Sequence, residues 1–262
     1  MTQAPESGLG EATKKGKVFL VGGGPGAEDL ITLRGYRLLN QADVIVADQI
    51  GSTSYFEHLP STIEIVEVPA LFEQDLVSQK AINQLLIDLA RDGKTVVRLK
   101  AGDPNIFGGG GEEAFACESA GVEFEVVPGV TSAVAAPAAA GIPLTHRGIA
   151  NGFTVVTGDE EIASVGGDTD HTLVILMGLD RLRETAFTLA AGLRGADCPV
   201  AIIESGFAAN QKIVVGTLAN IWRVAENAGI KAPAVIVVGD VVRLSPHYLA
   251  ELQAQFFKPE RS

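Results

Sequence analysis

Short apolar runs rich in β-branched residues alternate with stretches of helical periodicity in the first half of this chain. The runs cover residues 17–21, 43–47 and 95–99, and a further run, VEFEVV, follows Gly121. Residues 30–41 and 81–91 lie between them and carry apolar side chains at helical spacing. Because strands that alternate with helices pair in parallel, the pattern predicts a mainly parallel sheet covered by helices.

The second half contains further apolar runs that predict strands, at residues 153–158, 172–178, 199–206, 211–218 and 233–242. Helical stretches near 182–193 and 219–227 separate some of them. The run that ends at Gly206 and the run that begins at Gln211 are close enough to pair as antiparallel neighbours, so a mixed sheet is expected. The predicted fold class is therefore α/β, with two α/β domains.

Periodicity is lost in the stretch GIPLTHRGIANG, residues 141–152, which predicts a linker between the two halves. The expected organisation is a flexible N-terminal segment at 1–16, an N-terminal α/β domain at 17–144, a C-terminal α/β domain at 145–250 and a tail at 251–262. The N-terminal segment lacks the apolar core of a secretion signal, and no apolar run approaches the roughly 18 residues of a membrane span. We therefore expect a cytoplasmic protein with no membrane partner.

Charge and the placement of metal-ligating residues argue against several classes of function. The formal net charge is −12, whereas a nucleic-acid-binding protein needs a lysine and arginine surface to neutralise phosphates. The two cysteines have no C-x-x-C spacing, and the four histidines are scattered along the chain. No nucleic-acid partner, disulfide framework or metal is expected.

The glycine loop GGGPGAED follows the first apolar run and could hold either of two kinds of ligand. Gly22, Gly24 and Ala27 match G-x-G-x-x-G/A, the outline of a dinucleotide-binding fingerprint. However, Pro25 interrupts the loop, and two acidic residues follow it where they would repel a pyrophosphate. Glycines also let a ligand lie flat against the backbone, and acids nearby would attract a ligand with a positive centre.

The loop LKAGDPNIFGGGGEE is more unusual than a simple Asp-Pro turn. Asp103 precedes Pro104, and four consecutive glycines follow shortly after. Such a backbone can approach a ligand closely and present N–H and C=O groups without steric hindrance. Because ligands of open α/β sheets bind outside the carboxyl ends of strands, this loop is a candidate binding element.

Five motifs, in order along the chain, resemble those of the tetrapyrrole methyltransferase family. They are VGGGPGAEDLITLRGYRLLNQADVIVAD, VVRLKAGDPNIFGGGGEE, VVPGVTSAVAAPAAAGIPLTHRG, TLVILMGL and PAVIVVGDVVRL, and they extend over nearly the whole chain. Within the family, the GIPLTHRG stretch, the GDP loop and the MG strand end look most like those of the uroporphyrinogen-III C-methyltransferases. Five ordered motifs at compatible spacing are far more specific than any one of them.

The resemblance implies that S-adenosylmethionine lies folded in a cleft between the two domains and leaves as S-adenosylhomocysteine. This donor carries a sulfonium, an ammonium, a carboxylate and a ribose but no phosphate, which agrees with acidic, glycine-rich loops. By motif position, its contacts would be Pro25, Ala101, Gly102, Asp103, Ile106, Thr131, Ser132, Met177 and Gly206.

The reaction implied by the resemblance is methylation of uroporphyrinogen III at C2 and C7, which gives precorrin-2 for sirohaem or cobalamin biosynthesis. The acceptor is an anionic, reduced tetrapyrrole that must lose a ring proton after methyl transfer. Asp48 occupies the family's acidic position and is the candidate base. A homodimer is implied as well. Cations near the site by motif position are candidates for binding the substrate: Arg34, Lys100, His146 and Arg147.

Several positions depart from the family pattern. Ala70 and Leu71 stand where a lysine-arginine pair is usual, and Gln49 and Gly109 stand where arginine is usual. Because the substrate carries many carboxylates, the loss of these cations keeps other functions open. The alternatives are a methyltransferase acting on a later precorrin or another acceptor, a nicotinamide-dependent oxidoreductase, and a non-catalytic relative that binds ligand.

Overall fold

The structure is organised around two five-stranded β-sheets. The computed structural model describes residues 15–48, 54–68, 76–158, 162 and 170–250. The predicted tail, nearly all of the predicted N-terminal segment, and the departures at Gln49, Ala70 and Leu71 lie outside the described residues.

The first sheet is entirely parallel, as the sequence pattern predicts. Its strands are β1 (Lys17–Gly22), β2 (Val44–Asp48), β3 (Glu64–Val68), β4 (Thr95–Lys100) and β5 (Glu123–Val127). The strand order is β3-β2-β4-β1-β5. The helices in this half of the chain are α1 (Leu33–Leu39), α2 (Leu76–Arg91), α3 (Gly110–Ser119) and α4 (Ser132–Ala139).

Each face of the first sheet has its own hydrophobic core. Successive strand residues point to opposite faces, so alternate valines and isoleucines enter different cores. On one face the strand side chains pack with Leu86 of α2 and Cys117 of α3. On the other face Val97 lies in a core with Leu39 of α1. Because both faces are covered, the inner strands β1, β2 and β4 are largely apolar runs, which made them recognisable in the sequence. The edge strand β3 is mostly exposed and was not predicted.

The second sheet is mixed, as predicted. It contains β6 (Gly152–Thr157), β7 (His171–Leu176), β8 (Pro199–Glu204), β9 (Lys212–Thr217) and β10 (Ala234–Val238), with α5 (Leu182–Ala191) and α6 (Ile221–Ala228). The order is β6-β7-β10-β8-β9, and only the β6–β7 pair among these is parallel. The β8–β9 pair confirms the predicted antiparallel neighbours. Strands β6, β7 and β8 run in one direction, so their carboxyl ends share an edge of the sheet.

Helix α4 precedes the predicted linker but packs against the second sheet. The Thr131 hydroxyl caps this helix by accepting a hydrogen bond from the backbone N–H of Ala133 at 3.3 Å. Ala133, Ala136 and Ala140 share a buried core with Val174 of β7. These small side chains let the sheet approach the helix closely, so α4 links the two sheets. The domain limit between residues 144 and 145 stays a prediction.

The last strand is shorter than its apolar run, so the prediction of a strand through residue 242 was wrong at its end. β10 ends at Val238, and Gly239 follows with φ of 140°, a backbone conformation that favours glycine. Val241 and Val242 then lie in a 3₁₀ helix, Asp240–Leu244, and enter the core from there. A buried apolar run does not by itself distinguish a strand from a short helix.

Candidate active site

Three glycines pack against one another where β4, β1 and β5 end. A Cβ atom added to Gly22 would lie 2.5 Å from the carbonyl oxygen of Gly102 and 2.5 Å from Cα of Gly129. A Cβ atom on Gly129 would meet the same Gly102 oxygen and the Gly22 backbone. Since real Cβ atoms do not approach backbone this closely, the three strand-end loops can meet only through glycine.

Hydrogen bonds extend the contact between the β1 and β4 loops beyond the sheet. The N–H of Gly24 donates to the Gly102 oxygen at 3.2 Å, and the N–H of Gly102 donates to the Gly24 oxygen at 2.8 Å. The N–H of Gly23 donates to the oxygen of Lys100 at 2.7 Å. The loop that carries Pro25 is therefore held directly beside the loop that carries Ala101 and Gly102.

Asp103 connects the β4 loop to the β5 loop. Its Oδ1 accepts a hydrogen bond from the N–H of Asn105 at 2.8 Å, and its Oδ2 accepts one from the N–H of Gly129 at 3.0 Å. The motif predicted a donor contact for Asp103 but not this hydrogen bonding between two loops. Ile106 follows in the same loop with an exposed side chain.

The loops of the first sheet and the second sheet meet on α4. A Cβ atom on Gly102 would lie 3.5 Å from Cα of Thr131 and 3.7 Å from the nitrogen of Ser132. A Cβ atom on Gly206, after β8, would lie 3.0 Å from Cα of Ala136. The structure therefore gathers predicted donor contacts from both halves of the chain around the first two turns of one helix.

Strained backbone is concentrated at the same strand ends. Among the described residues, the non-glycine residues with positive φ are Phe107, Met177, Ser205 and Phe207, with φ between 50° and 65°. They follow β4, β7 and β8, and Phe107, Met177 and Phe207 expose large apolar side chains. Left-handed backbone at non-glycine residues costs roughly 1–3 kcal/mol and is found mainly at functional sites. Met177, a predicted donor contact, is one of these residues.

A cluster of two cations and two carboxylates lies at the carboxyl ends of β2 and β4. Arg98 donates to Asp48 through Nη2 and to Oε1 of Glu113 through Nε at 3.0 Å. Lys100 Nζ lies 2.9 Å from Oε1 of Glu113 and 3.8 Å from Oδ2 of Asp48. Glu113 comes from α3, so the cluster joins two neighbouring strands to the helix that covers them.

Burial differs sharply within this cluster. The side chains of Arg98, Lys100 and Glu113 are 2%, 3% and 0% exposed, whereas that of Asp48 is 28% exposed. Burial lowers the pKa of the Arg98 guanidinium, but the negative charges of Glu113 and Asp48 outweigh this and raise the pKa above its ordinary value. Asp48 is thus the member of the cluster that a ligand can reach.

The predicted substrate-binding cations lie on separate elements. Arg34 of α1 forms an ion pair with Glu125 of β5. His146 and Arg147 are exposed in the turn before β6, where His146 and Ala150 form an isolated antiparallel bridge. Lys100 lies in the buried cluster instead. The structure thus brings Lys100 together with Asp48 but does not join Arg34 to either.

Glu113 is the member of the site that sequence reasoning missed. A favourable charge interaction with the helix N-terminus is enough to explain an acidic residue at this position, and it gives no reason to expect a buried ion pair. The available signal was the run TVVRLK, in which Arg98 and Lys100 are two residues apart and share one face of a buried strand. Two cations on a covered face require buried acidic partners.

The chemistry of the loops suits a cationic ligand better than a phosphate. Residues 22–27, 101–109 and 128–132 contain no lysine or arginine, but they offer backbone carbonyls and Asp103.

The described ranges contain no group of three or more His, Cys, Asp or Glu residues able to hold a metal ion. Within those same ranges, no helix is long and apolar enough to cross a membrane.

The fold and the site define a two-domain α/β protein whose strand-end loops converge on one helix. The profile of the family described as Tetrapyrrole (Corrin/Porphyrin) Methylases matches residues 17–221. The chain therefore belongs to the tetrapyrrole methylase family. The family expected from the five motifs is confirmed, and so is the predicted fold class.

Named relatives cover nearly the same span. A protein of Methanosarcina barkeri, S-adenosyl-L-methionine-dependent uroporphyrinogen III methyltransferase, is 46% identical over 241 residues, which cover 87% of this chain and 93% of the relative. A siroheme synthase of Methylobacillus flagellatus is 44% identical over 244 residues, which cover 91% of this chain but 52% of the relative. The chain thus spans about half of that larger protein.

A solved structure agrees with these relatives. Uroporphyrin-III C-methyl transferase from Thermus thermophilus, complexed with S-adenyl homocysteine, superposes with a TM-score of 0.74 and is 37% identical. The match covers 87% of this chain and 99% of that chain. Both sheets therefore have counterparts in a protein that holds the demethylated donor.

Proposed function

We propose that this chain is an S-adenosylmethionine-dependent uroporphyrinogen-III C-methyltransferase. It methylates uroporphyrinogen III at C2 and C7 and gives precorrin-2, for sirohaem or cobalamin biosynthesis. The Methanosarcina barkeri relative that bears this activity in its name aligns along 93% of its own length. The proposal does not extend to further activities of the siroheme synthases, because the chain spans about half of the one it was aligned with.

The observation that carries the proposal is the convergence of two sets of strand-end loops on α4. Gly102 lies against Thr131 and Ser132, and Gly206 lies against Ala136 one turn further along the helix. In open α/β sheets, ligands bind outside the carboxyl ends of strands. A cleft between two such edges can enclose a methyl donor and an acceptor together and exclude water from both.

The donor is proposed to lie along the loops that follow β1, β4, β5, β7 and β8. When bound, S-adenosylmethionine supplies a methyl group on a positively charged sulfur, already activated for transfer. The chain's own task is to hold the donor and align the nucleophilic carbon with it. Backbone carbonyls and the hydroxyls at the start of α4 suit its cationic and hydroxyl groups. The proposed contacts are Pro25, Ala101, Gly102, Asp103, Ile106, Thr131, Ser132, Met177 and Gly206.

Asp48 is proposed as the base that accepts the ring proton after methyl transfer. Its carboxylate is partly exposed, whereas Arg98 and Lys100 behind it are buried. A substrate in the cleft can therefore reach the carboxylate without reaching the cations. The ion pairs hold the carboxylate in one place at the end of β2, which a proton acceptor requires.

The substrate carboxylates are proposed to bind His146 and Arg147, which are exposed in the turn between α4 and β6. Arg34 is a second proposed contact, although a substrate carboxylate would compete there with Glu125. Lys100 is proposed to act through Asp48, because its ammonium group is buried and already paired.

A homodimer and a cytoplasmic location belong to the same proposal, and light scattering of the purified protein tests the assembly.

An anaerobic assay with S-adenosylmethionine and uroporphyrinogen III tests the activity. The expected product, after oxidation, carries two added methyl groups by mass and has the absorbance of a methylated oxidised tetrapyrrole. Calorimetry with S-adenosylhomocysteine measures donor binding separately. Binding without turnover of uroporphyrinogen III would point to a later precorrin, another acceptor or a non-catalytic relative. Retention of NADH with exclusion of S-adenosylmethionine would overturn the proposal.

A further inference from the structure

We propose that Glu113 is a positioning residue for Asp48. One carboxylate oxygen of Glu113 pairs with both Arg98 and Lys100, compensates their positive charge and holds both cations towards the Asp48 carboxylate. The inference rests on the proposed function, in which Asp48 accepts a proton. Glu113 itself has no access to a ligand, since its side chain is 0% exposed. Its effect must therefore pass through the two cations.

Glu113 and Asp48 both pair with the same two cations. Oε1 of Glu113 lies 3.0 Å from Arg98 Nε and 2.9 Å from Lys100 Nζ. The Arg98 Nη2 atom and the Lys100 ammonium also face Asp48. Gln79 of α2 adds a neutral contact, since its Nε2 lies 3.4 Å from the same Glu113 oxygen. Asp48 therefore faces Arg98 and Lys100 of β4 directly, with Glu113 of α3 behind them.

The charges in the cluster balance only when Glu113 is included. Two buried cations are strongly disfavoured without paired carboxylates. With Glu113 removed, Asp48 alone would face both positive charges. The excess positive charge would favour the ionised carboxylate and make Asp48 a weaker proton acceptor. Glu113 thus compensates one of the two positive charges beside Asp48, while the cations keep the carboxylate in place.

The second oxygen of Glu113 supports a role beyond simple packing. Oε2 is buried and has no hydrogen-bond partner within the part of the chain that the structure describes. A buried polar atom without a partner is unfavourable, and its retention calls for an explanation. An apolar residue would avoid this cost, but it would leave Arg98 and Lys100 unbalanced beside Asp48.

The first test compares Glu113→Gln with Glu118→Gln, which alters an exposed glutamate on the same helix. In Glu113→Gln, we expect kcat to fall by about tenfold or more, with little change in KM for uroporphyrinogen III. The acidic limb of the kcat profile should move to lower pH, because one negative charge is lost near Asp48. Glu118→Gln should behave as the wild type in both respects.

The second test restores the charge balance. Glu113→Gln combined with Lys100→Met removes one carboxylate and one cation together, so the acidic limb should return towards its wild-type position. Comparison of this double variant with Lys100→Met alone measures the effect of Glu113 even if Glu113→Gln does not fold. Equal pH profiles in those two variants would contradict the inference.

A readout without turnover separates this inference from the proposed function. The Asp48 side-chain carboxyl carbon can be followed by NMR in 13C-aspartate-labelled protein and identified by its loss in Asp48→Asn. Its titration midpoint should move down in Glu113→Gln and return in the double variant. An inactive wild type that shows these shifts would reject the proposed function alone. Unchanged midpoints in folded variants would reject the role of Glu113.

Discussion

Arg98 donates a hydrogen bond to Asp48 across two neighbouring parallel strands while remaining almost completely buried itself. The carboxylate of Asp48 is therefore partly exposed, while the cations paired with it, Arg98 and Lys100, are buried. In a protein whose substrate is a polyanion, these cations are not free to bind substrate directly. They support the group proposed to move the proton.

Asp48→Asn should reduce kcat by about 10²- to 10⁴-fold, because asparagine cannot accept the ring proton. The affinity for S-adenosylhomocysteine should remain close to that of the wild type, since the donor loops do not include Asp48. The anaerobic assay and calorimetry measure the two quantities. A variant that keeps its activity would show that another group acts as the base.

Gly129→Ala should destabilise the protein by about 2–4 kcal/mol and weaken S-adenosylhomocysteine binding, because the new Cβ would strike the Gly102 oxygen and the Gly22 backbone. Gly111→Ala is the matched control: nothing lies within 4 Å of its added Cβ, and it sits in α3. That substitution should stabilise by about 0.5–1 kcal/mol. Urea unfolding measures both, and a stable Gly129→Ala would refute the close packing of the loops.

Gly206→Ala should weaken donor binding by moving the β8 loop away from α4. The added Cβ would lie 3.0 Å from Cα of Ala136, a backbone atom that cannot turn aside. Gly192→Ala provides the control, since its nearest atom in the described structure, the Leu189 oxygen, is at an ordinary contact distance of 3.5 Å. Calorimetry with S-adenosylhomocysteine should show a clear loss of affinity in the first variant only. Equal affinities would mean that the donor does not use this junction.

Arg147→Ala should raise KM for uroporphyrinogen III by about tenfold, as expected for the loss of one charge-assisted contact to a carboxylate. The affinity for S-adenosylhomocysteine should not change. Arg223→Ala removes an exposed arginine that stacks on Trp222 of α6, and it should leave KM unaltered. A similar rise in KM for both variants would indicate a general charge effect instead of a specific contact.

Cys117 should make the fold less stable at alkaline pH. Burial, assisted by the charge of Glu113, raises the pKa of the Cys117 thiol from 9.0 to about 11. The folded state therefore binds this proton more tightly than the unfolded state, and the resulting stability is complete below pH 9. It is lost as pH rises from 9 to about 11, by up to about 2–3 kcal/mol. Cys117→Ala should show a smaller decrease over that range in urea unfolding, and an unchanged slope would contradict the assignment.

Most of the parallel first sheet could be predicted because its inner strands β1, β2 and β4 are covered on both faces and so appear as largely apolar runs. The ends of elements were less predictable. The apolar run that contains β10 continues into Val241 and Val242, which are buried within a 3₁₀ helix that follows Gly239. The apolar run correctly indicated that Val241 and Val242 are buried, but it did not predict their 3₁₀ conformation.

The donor loops could be proposed from ordered motifs, but their mutual contacts could not. Nothing in the local sequence shows that Gly22, Gly102 and Gly129 touch, because they are far apart in the chain and meet only when β1 lies between β4 and β5. Glu113 was missed for the same reason. An acid near the start of a helix is usually solvated, and only the packing of α3 over β4 buries this one.

The amino-acid sequence by itself determined most of the strands and helices and which loops follow them, since those properties depend on local periodicity and on glycine. Tertiary structure alone decided which loops share a cleft and which charges lose contact with water. The sharing of a cleft and the burial of charges depend on strand order and on helix placement. Strand order and helix placement therefore also determine the dielectric surroundings of Asp48, Arg98 and Glu113. Pairing between charges that lie far apart along a chain carries no local signature, although it controls their chemistry.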